Sequence, residues 1–118
     1  WNMNYESNLF DFALSLNWRN GKPYTGIQTD FTDSSGNIQY ETPNSLNLPN
    51  YTRVDVSINH DFKIYNFGQS RLSLSVFNLF NNTNSINRFY LRDQNNAIEK
   101  GETIGLGLTS NLSFQLSF

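Results

Sequence analysis

The sequence predicts an all-β fold, in which antiparallel strands form a segment of a transmembrane β-barrel wall. Three observations carry that prediction. Apolar and polar residues alternate with a period of two over stretches well beyond the usual strand of about 5–6 residues. Every Asp, Arg and Lys inside those stretches falls on the polar parity. Aromatic residues make up 15% of the chain, with 10 Phe and 6 Tyr, and many stand at the ends of the stretches, where a membrane–water interface suits an amphipathic ring. No run approaches the roughly 18 apolar residues of a transmembrane helix. The hydrophobic share of 37% is low, as expected where every second residue of a strand faces water.

The first strand is expected over about Asn8–Arg19, with Phe10, Phe12, Leu14, Leu16 and Trp18 on one face and Asp11, Ala13, Ser15, Asn17 and Arg19 on the other. The second runs from about Tyr51 to Ile64. It sets Val54, Val56, Ile58, Phe62 and Ile64 against Arg53, Asp55, Ser57, Asn59, Asp61 and Lys63. The third, about Arg71–Phe80, sets Leu72, Leu74 and Val76 against Ser73 and Ser75. Its alternation slips around Asn78, which reads as a bulge or as the membrane boundary. The fourth alternates without interruption from Ile104 to Phe118, with Leu106, Leu108, Leu112, Phe114, Leu116 and Phe118 on the apolar parity. The lipid-facing set is therefore Leu14, Leu16, Val54, Val56, Ile58, Leu72, Leu74, Val76, Leu106, Leu108 and Leu112.

The connections are unequal. Tyr65–Ser70 is a short turn, with Asn66 and Gly68 supplying turn chemistry. The connections over about Asn20–Asn50 and Asn81–Glu102 are long and rich in Asn, Ser, Thr and Gly. Short turns on one side and long loops on the other is the outer-membrane barrel pattern, with the short ones periplasmic. Within the first long loop, Asp33-Ser34-Ser35-Gly36-Asn37 reads as a hairpin tip between Ile27–Thr32 and Ile38–Thr42. Pro23, Pro43 and Pro49 lie in the same loop, where no ladder bond is lost. This sidedness places Trp18, Tyr51 and Phe80 near the outer rim, and Phe10, Phe12, Phe62, Tyr65, Phe114 and Phe118 near the inner one.

The net charge of −2 leaves no basic footprint for nucleic acid. With 0 Cys there is no disulfide scaffold and no thiolate metal site, which fits passage through a periplasm. No signal-peptide pattern opens the chain, which starts on Trp1, so a processed or partial chain is expected. Enzymatic activity and cofactors are not expected. The sole His, His60, lies on the lipid-side parity, whereas Asp55 and Ser57 point the other way, so these positions build no hydrolase triad. Asp30 and Asp33 miss the spacing of a calcium loop and read as solvated acids. The sequons at Asn50, Asn81 and Asn111 are read as chance matches in an Asn-rich chain.

Three segments resemble the late strands of a TonB-dependent outer-membrane receptor. They are Gly21-Lys22-Pro23-Tyr24-Thr25-Gly26, Leu48-Pro49-Asn50-Tyr51-Thr52-Arg53-Val54-Asp55-Val56-Ser57, and Leu74-Ser75-Val76-Phe77-Asn78-Leu79-Phe80-Asn81. Together with Phe118 the resemblance covers nearly all of residues 1–118, as the C-terminal part of a barrel of about 22 strands. It implies an active-transport receptor of the Gram-negative outer membrane, for a scarce ligand such as an iron chelate, cobalamin or an oligosaccharide. The plug and earlier strands, and the box that the TonB complex pulls, are not among these residues. The implied partners are membrane lipid, the remaining strands and plug, and the barrel-assembly machinery during biogenesis. Phe114, Leu116 and Phe118 match the terminal signal that such machinery reads; Ser113 stands where that signal often has Gly.

Two alternatives remain open at this point. The chain could be a structural barrel piece or a captured assembly substrate, or it could be a soluble β-sandwich that binds carbohydrate through Tyr-rich loops. Arg53, Asp55, Asp61, Lys63 and Arg71 read first as a ladder of cross-strand ion pairs in a wet lumen, and second as contacts to a plug. Ligand contacts, if any, are expected from the long loops, at Tyr24, Tyr40, Phe89, Tyr90 and Arg92.

Overall fold

A computed structural model describes residues 1–32, 37–65, 68–95 and 97–118, the side chains at 29–32 excepted. The expected hairpin tip at Asp33–Gly36, the turn positions Asn66 and Phe67, and the side chains of Asp30 and Asp33 lie outside the described residues. The fold is all-β and antiparallel, with no helix among the described residues. In chain order the strands are β1 (Asn2–Glu6), β2 (Asp11–Arg19), β3 (Pro23–Tyr24), β4 (Ile27–Thr32), β5 (Ile38–Tyr40) and β6 (Leu46–Asn47). There follow β7 (Tyr51–Ile64), β8 (Gly68–Phe77), β9 (Ser85–Arg92), β10 (Ile98–Ile104) and β11 (Thr109–Ser117). They fall into two compact units, one of Trp1–Trp18, Thr52–Thr83 and Leu106–Phe118, the other of Arg19–Tyr51 and Asn84–Gly105.

The first unit is built on a five-stranded sheet in the order β1-β2-β7-β8-β11. Four long strands were expected there; β1 is the addition. Its Met3 and Tyr5 pair with Leu14 and Phe12, so its apolar residues carry the opposite parity to those of β2. The change of parity is made at Ser7, whose Oγ accepts from the N–H groups of Leu9 (3.3 Å) and Phe10 (3.1 Å). Between β7 and β8 the register runs from Val56↔Val76 to Ile64↔Gly68, and between β8 and β11 from Phe77↔Thr109 to Gln69↔Ser117. Gly68 opens β8 at φ 101°, and a Cβ there would stand 2.1 Å from the Ser117 carbonyl oxygen. Only glycine meets both demands.

The uninterrupted strand expected from Ile104 to Phe118 is corrected: residues 105–108 are not strand, and they separate β10 from β11. Asn78 explains the break. It ends β8 with a left-handed backbone (φ 51°), as does Asn81 (φ 52°), a region Asn tolerates better than most residues. The Asn78 side chain is wholly buried. Its Nδ2 donates to the carbonyls of Leu106 (2.9 Å) and Asn82 (2.9 Å), and its Oδ1 accepts from the Asn82 N–H (3.1 Å). The Leu108 N–H donates to Asn81 Oδ1 at 3.0 Å. Two asparagine side chains thus take the place of a neighbouring strand for Leu106 and Leu108. Asp55 accepts from the Asn78 N–H at 2.9 Å, which anchors the turn to β7. The slip read at Asn78 is therefore a strand end, and Leu79 and Phe80 lie in the turn.

In the second unit β4 has the expected bounds, while β5 ends at Tyr40 instead of Thr42. Pro23 lies in a two-residue ladder, opposite Asn47, as the first residue of its strand, a position proline accepts. The stretch 81–102, expected to be loop, holds most of a hairpin: β9 and β10 pair from Arg92↔Ile98 to Arg88↔Glu102 and on to Ile104. Asp93 closes it, with Oδ1 accepting from the N–H groups of Asn95 (2.8 Å) and Ala97 (2.7 Å). Leu48 is the one buried apolar side chain among the described residues, at 4% exposed. Gly21 is pressed against it, since a Cβ there would lie 1.5 Å from the Leu48 carbonyl oxygen.

Replacing Asn78 by Ala would remove its bonds to Asn82 and Leu106 and put a residue with a Cβ but no amide into a left-handed backbone, and should cost about 1–3 kcal/mol. Asn78→Gly would keep the left-handed backbone at no steric cost while losing the same bonds. Denaturant unfolding of both variants in detergent checks this. The Gly variant should be the less damaged of the two, yet still below wild type.

Candidate functional site

The working surface of the first unit is a sheet with two unlike faces. Residues paired across antiparallel strands point to the same side, so register assigns them. One face carries the cross-strand rows Ile58–Leu74–Leu112 and His60–Leu72–Phe114, with Val56 beside Val76. The other carries Ser57–Ser75–Asn111, Asn59–Ser73–Ser113 and Asp61–Arg71–Gln115. The expected lipid-facing residues of β7, β8 and β11 therefore do share one side. Leu74, on a strand flanked by neighbours on both sides, is 45% exposed, and Leu112 is 68% exposed. Leu16, Ile58, Leu72, Leu106 and Leu108 are exposed as well, while Leu14, Val54, Val56 and Val76 are half-buried. Leu106 and Leu108 belong to the segment that precedes β11, not to a strand.

Rings gather at one end of the apolar face. Phe62 and Phe114 have centroids 6.4 Å apart, His60 stacks on Phe62 at 5.4 Å, and Tyr5 meets Phe10 at 6.3 Å. These belong to the group expected at the inner rim, with Tyr5 as an addition. His60 Nδ1 also meets the Leu9 carbonyl, so the imidazole is held against the link between β1 and β2. Trp18 and Phe80, expected at the outer rim, are exposed. Of the terminal triplet, Phe114 and Leu116 lie on the apolar face of β11, opposite Leu72 and Ser70, and Phe118 follows the strand fully exposed.

The polar face bears two ion pairs of different kinds. Arg71 meets Asp61 across the β7–β8 ladder in a two-pronged contact, 2.6 Å at each oxygen, as the ladder reading expects. Arg53 and Asp55 are instead neighbours on one strand, 2.8 Å apart, and Asp55 is also the anchor of the Asn78 turn. A cleft of about 350 Å³ opens beside Asp61, Lys63, Gln69 and Arg71. Ser70, flanked in register by Phe62 and Leu116, has a buried hydroxyl with no hydrogen-bond partner among the described residues.

Against this geometry, comparison with known proteins is silent. No protein-family model, curated protein or solved structure matches the chain. Its chemistry is read from its own residues. Among the described residues no group of three or more His, Cys, Asp or Glu side chains is placed to hold a metal.

The second unit centres on Arg88 and Glu102, which pair in register across the β9–β10 hairpin. Ser85 Oγ donates to Glu102 at 3.0 Å. Arg88 also donates to the Tyr24 hydroxyl, with its guanidinium carbon 4.6 Å from the centre of that ring. The Arg88 guanidinium holds the Glu102 carboxyl below the usual carboxylate range, helped by Ser85, and Glu102 in turn raises Arg88. Burial pushes the Tyr90 phenol up. Of the expected ligand contacts, Tyr24 is committed to Arg88, and the Phe89 ring lies over Gly101. Tyr40 is exposed, as is Arg92 in β9. Arg88 and Glu102 gave no signal in the sequence, because their meeting depends on the register that the Asp93 turn sets.

A carboxylate held low contributes stability that is present above its unfolded-state value and is lost as pH falls through the folded-state value. The β9–β10 hairpin should therefore loosen in acid, below the ordinary Glu range. Limited proteolysis of the 85–104 segment, followed across acid pH, checks this. Glu102→Gln should flatten the pH dependence.

Proposed function

We propose that the chain is a wall segment of an outer-membrane active-transport receptor of the TonB-dependent kind. In this reading β1, β2, β7, β8 and β11 cross the bilayer. The observation that carries the reading is the inverted distribution of polarity. Among the described residues only Leu48 is a buried apolar side chain, whereas whole rows of Leu, Ile and Phe lie open on one face of the sheet. A soluble monomer rarely leaves a contiguous apolar patch above a few hundred Å². A sandwich would cover such a face with a second sheet about 10 Å away. Acyl chains would satisfy it equally, provided that the backbone is hydrogen-bonded strand to strand.

The opposite face supports the same reading. Rows of Ser, Asn and Gln with one cross-strand ion pair suit a water-filled or plug-filled lumen. The short link from Ile64 to Gly68 against the long connections after Arg19 and Phe77 supports a sidedness with the short link periplasmic. The family assignment itself rests on the three motif segments and their order. Transport for a scarce ligand follows from that resemblance, with lipid, the rest of the wall, a plug and the assembly machinery as partners. No catalytic role is proposed.

The chain has no Cys, so single-cysteine scanning tests the reading directly. In protein recovered with the outer-membrane fraction, cysteines at Ser73, Ser75 and Ser113 should react with a water-soluble maleimide. Those at Leu72, Leu74 and Leu112 should be reached only by a bilayer-confined reagent. Protein that stays in water without detergent, with both sets labelled alike, would overturn the proposal. Leu74→Arg should cost about 2–4 kcal/mol of insertion stability, and Ser73→Arg far less, as measured by urea unfolding from lipid vesicles.

A further inference from the structure

We propose that a cleft in the second unit, formed where Arg19 and Lys22 meet Tyr51, binds a small oxyanion: a carboxylate or phosphate group carried by a solute. The cleft has a volume of about 400 Å³, within the range of small-molecule sites. Its wall includes Arg19, Lys22, Asn20, Tyr51 and Ser85, and no Asp or Glu among the described residues. In a chain of net charge −2, two cations on an acid-free wall are a local reversal of sign. Arg53, Arg71 and Arg88 each pair with a carboxylate; Arg19 and Lys22 do not, among the described residues.

Arg19 is also held ready. Its guanidinium carbon lies 4.2 Å from the centre of the Tyr51 ring. Stacking uses the face of a guanidinium and leaves its N–H fork free in the plane, so little freedom remains to be lost when an oxyanion is bound through two parallel bonds. Lys22 adds a point charge that can serve a further oxygen. The backbone between them is fixed. Gly21 N–H donates to Asn50 Oδ1 at 3.2 Å, the Leu48 N–H donates to the Lys22 carbonyl at 2.9 Å, and no side chain fits at position 21. Glu102, which is bonded to Ser85 of the wall, is neutralised by Arg88. A neutral sugar would leave both cations unanswered, so a charged solute fits better. As the ligand class of a receptor the assignment rests on the transport reading; as a binding site it stands on the cleft alone.

The test is titration calorimetry on the protein in neutral detergent, with succinate, inorganic phosphate and, as the uncharged control, maltotriose. Saturable binding of succinate or phosphate is expected, weakening as salt is raised, with no uptake of maltotriose. Whichever anion binds more tightly identifies the headgroup. Arg19→Gln and Lys22→Gln should each weaken binding at least tenfold, and Arg19→Lys should not restore it, because a point charge cannot replace the fork. Lys100→Gln, an exposed cation outside the cleft, should leave it unchanged. Absence of saturable binding by protein whose circular dichroism remains that of a β-sheet would overturn the site, as would unaltered affinity in both cleft variants. Neither result touches the cysteine-labelling pattern, so failure of the site and failure of the transport reading are told apart.

Discussion

Cross-strand register is the constraint on which the first unit depends. Side chains in a strand alternate with a period of two, so a slip of one residue between β7 and β8 would carry Ile58 and Leu74 to opposite faces. The observed register aligns like with like across three strands: Ile58 with Leu74 and Leu112, Asn59 with Ser73 and Ser113. Two local devices pin it. At one end Gly68 supplies a backbone that other residues adopt only under strain, and it admits the Ser117 carbonyl against its own Cα. At the other, Asp55 and Asn78 tie the end of β8 to β7 and to the segment before β11.

Polarity in this unit is therefore arranged around backbone satisfaction, with no buried apolar side chain among its described residues. Among the described residues the fully buried side chain is an amide, Asn78, and it serves backbone groups that a neighbouring strand would otherwise have served. Exposed leucines on the other side cost little where the surroundings are themselves apolar. The same leucines facing water would expose a patch that few soluble monomers carry.

The second unit works on different terms. Its strands are short, and its polar contacts are charge-assisted: Arg88 with Glu102 and Tyr24, and Arg19 over Tyr51. Such contacts are weak at exposed sites but directional. They fix where cations stand. In one place the cation is neutralised by a carboxylate; in the other it is left open beside a cleft, and that difference separates a structural contact from a candidate ligand site.

Alternation in the sequence determined the all-β class, the extent of β7, the two faces and the charges on the polar one. A period of two is a local property that needs no knowledge of partners. Tertiary structure decided the rest. β1 was hidden because its parity reverses across Ser7. The break at residues 105–108 was hidden because Gly105, Leu106, Gly107 and Leu108 keep the alternation, while their hydrogen bonds go to asparagines far away in the chain. The Arg88–Glu102 pair depends on the register that the Asp93 turn sets in the β9–β10 hairpin, and the Arg19–Tyr51 stack on contact between distant segments. Which side chain meets which is set by loop closure and register, and neither leaves a periodic trace in the chain.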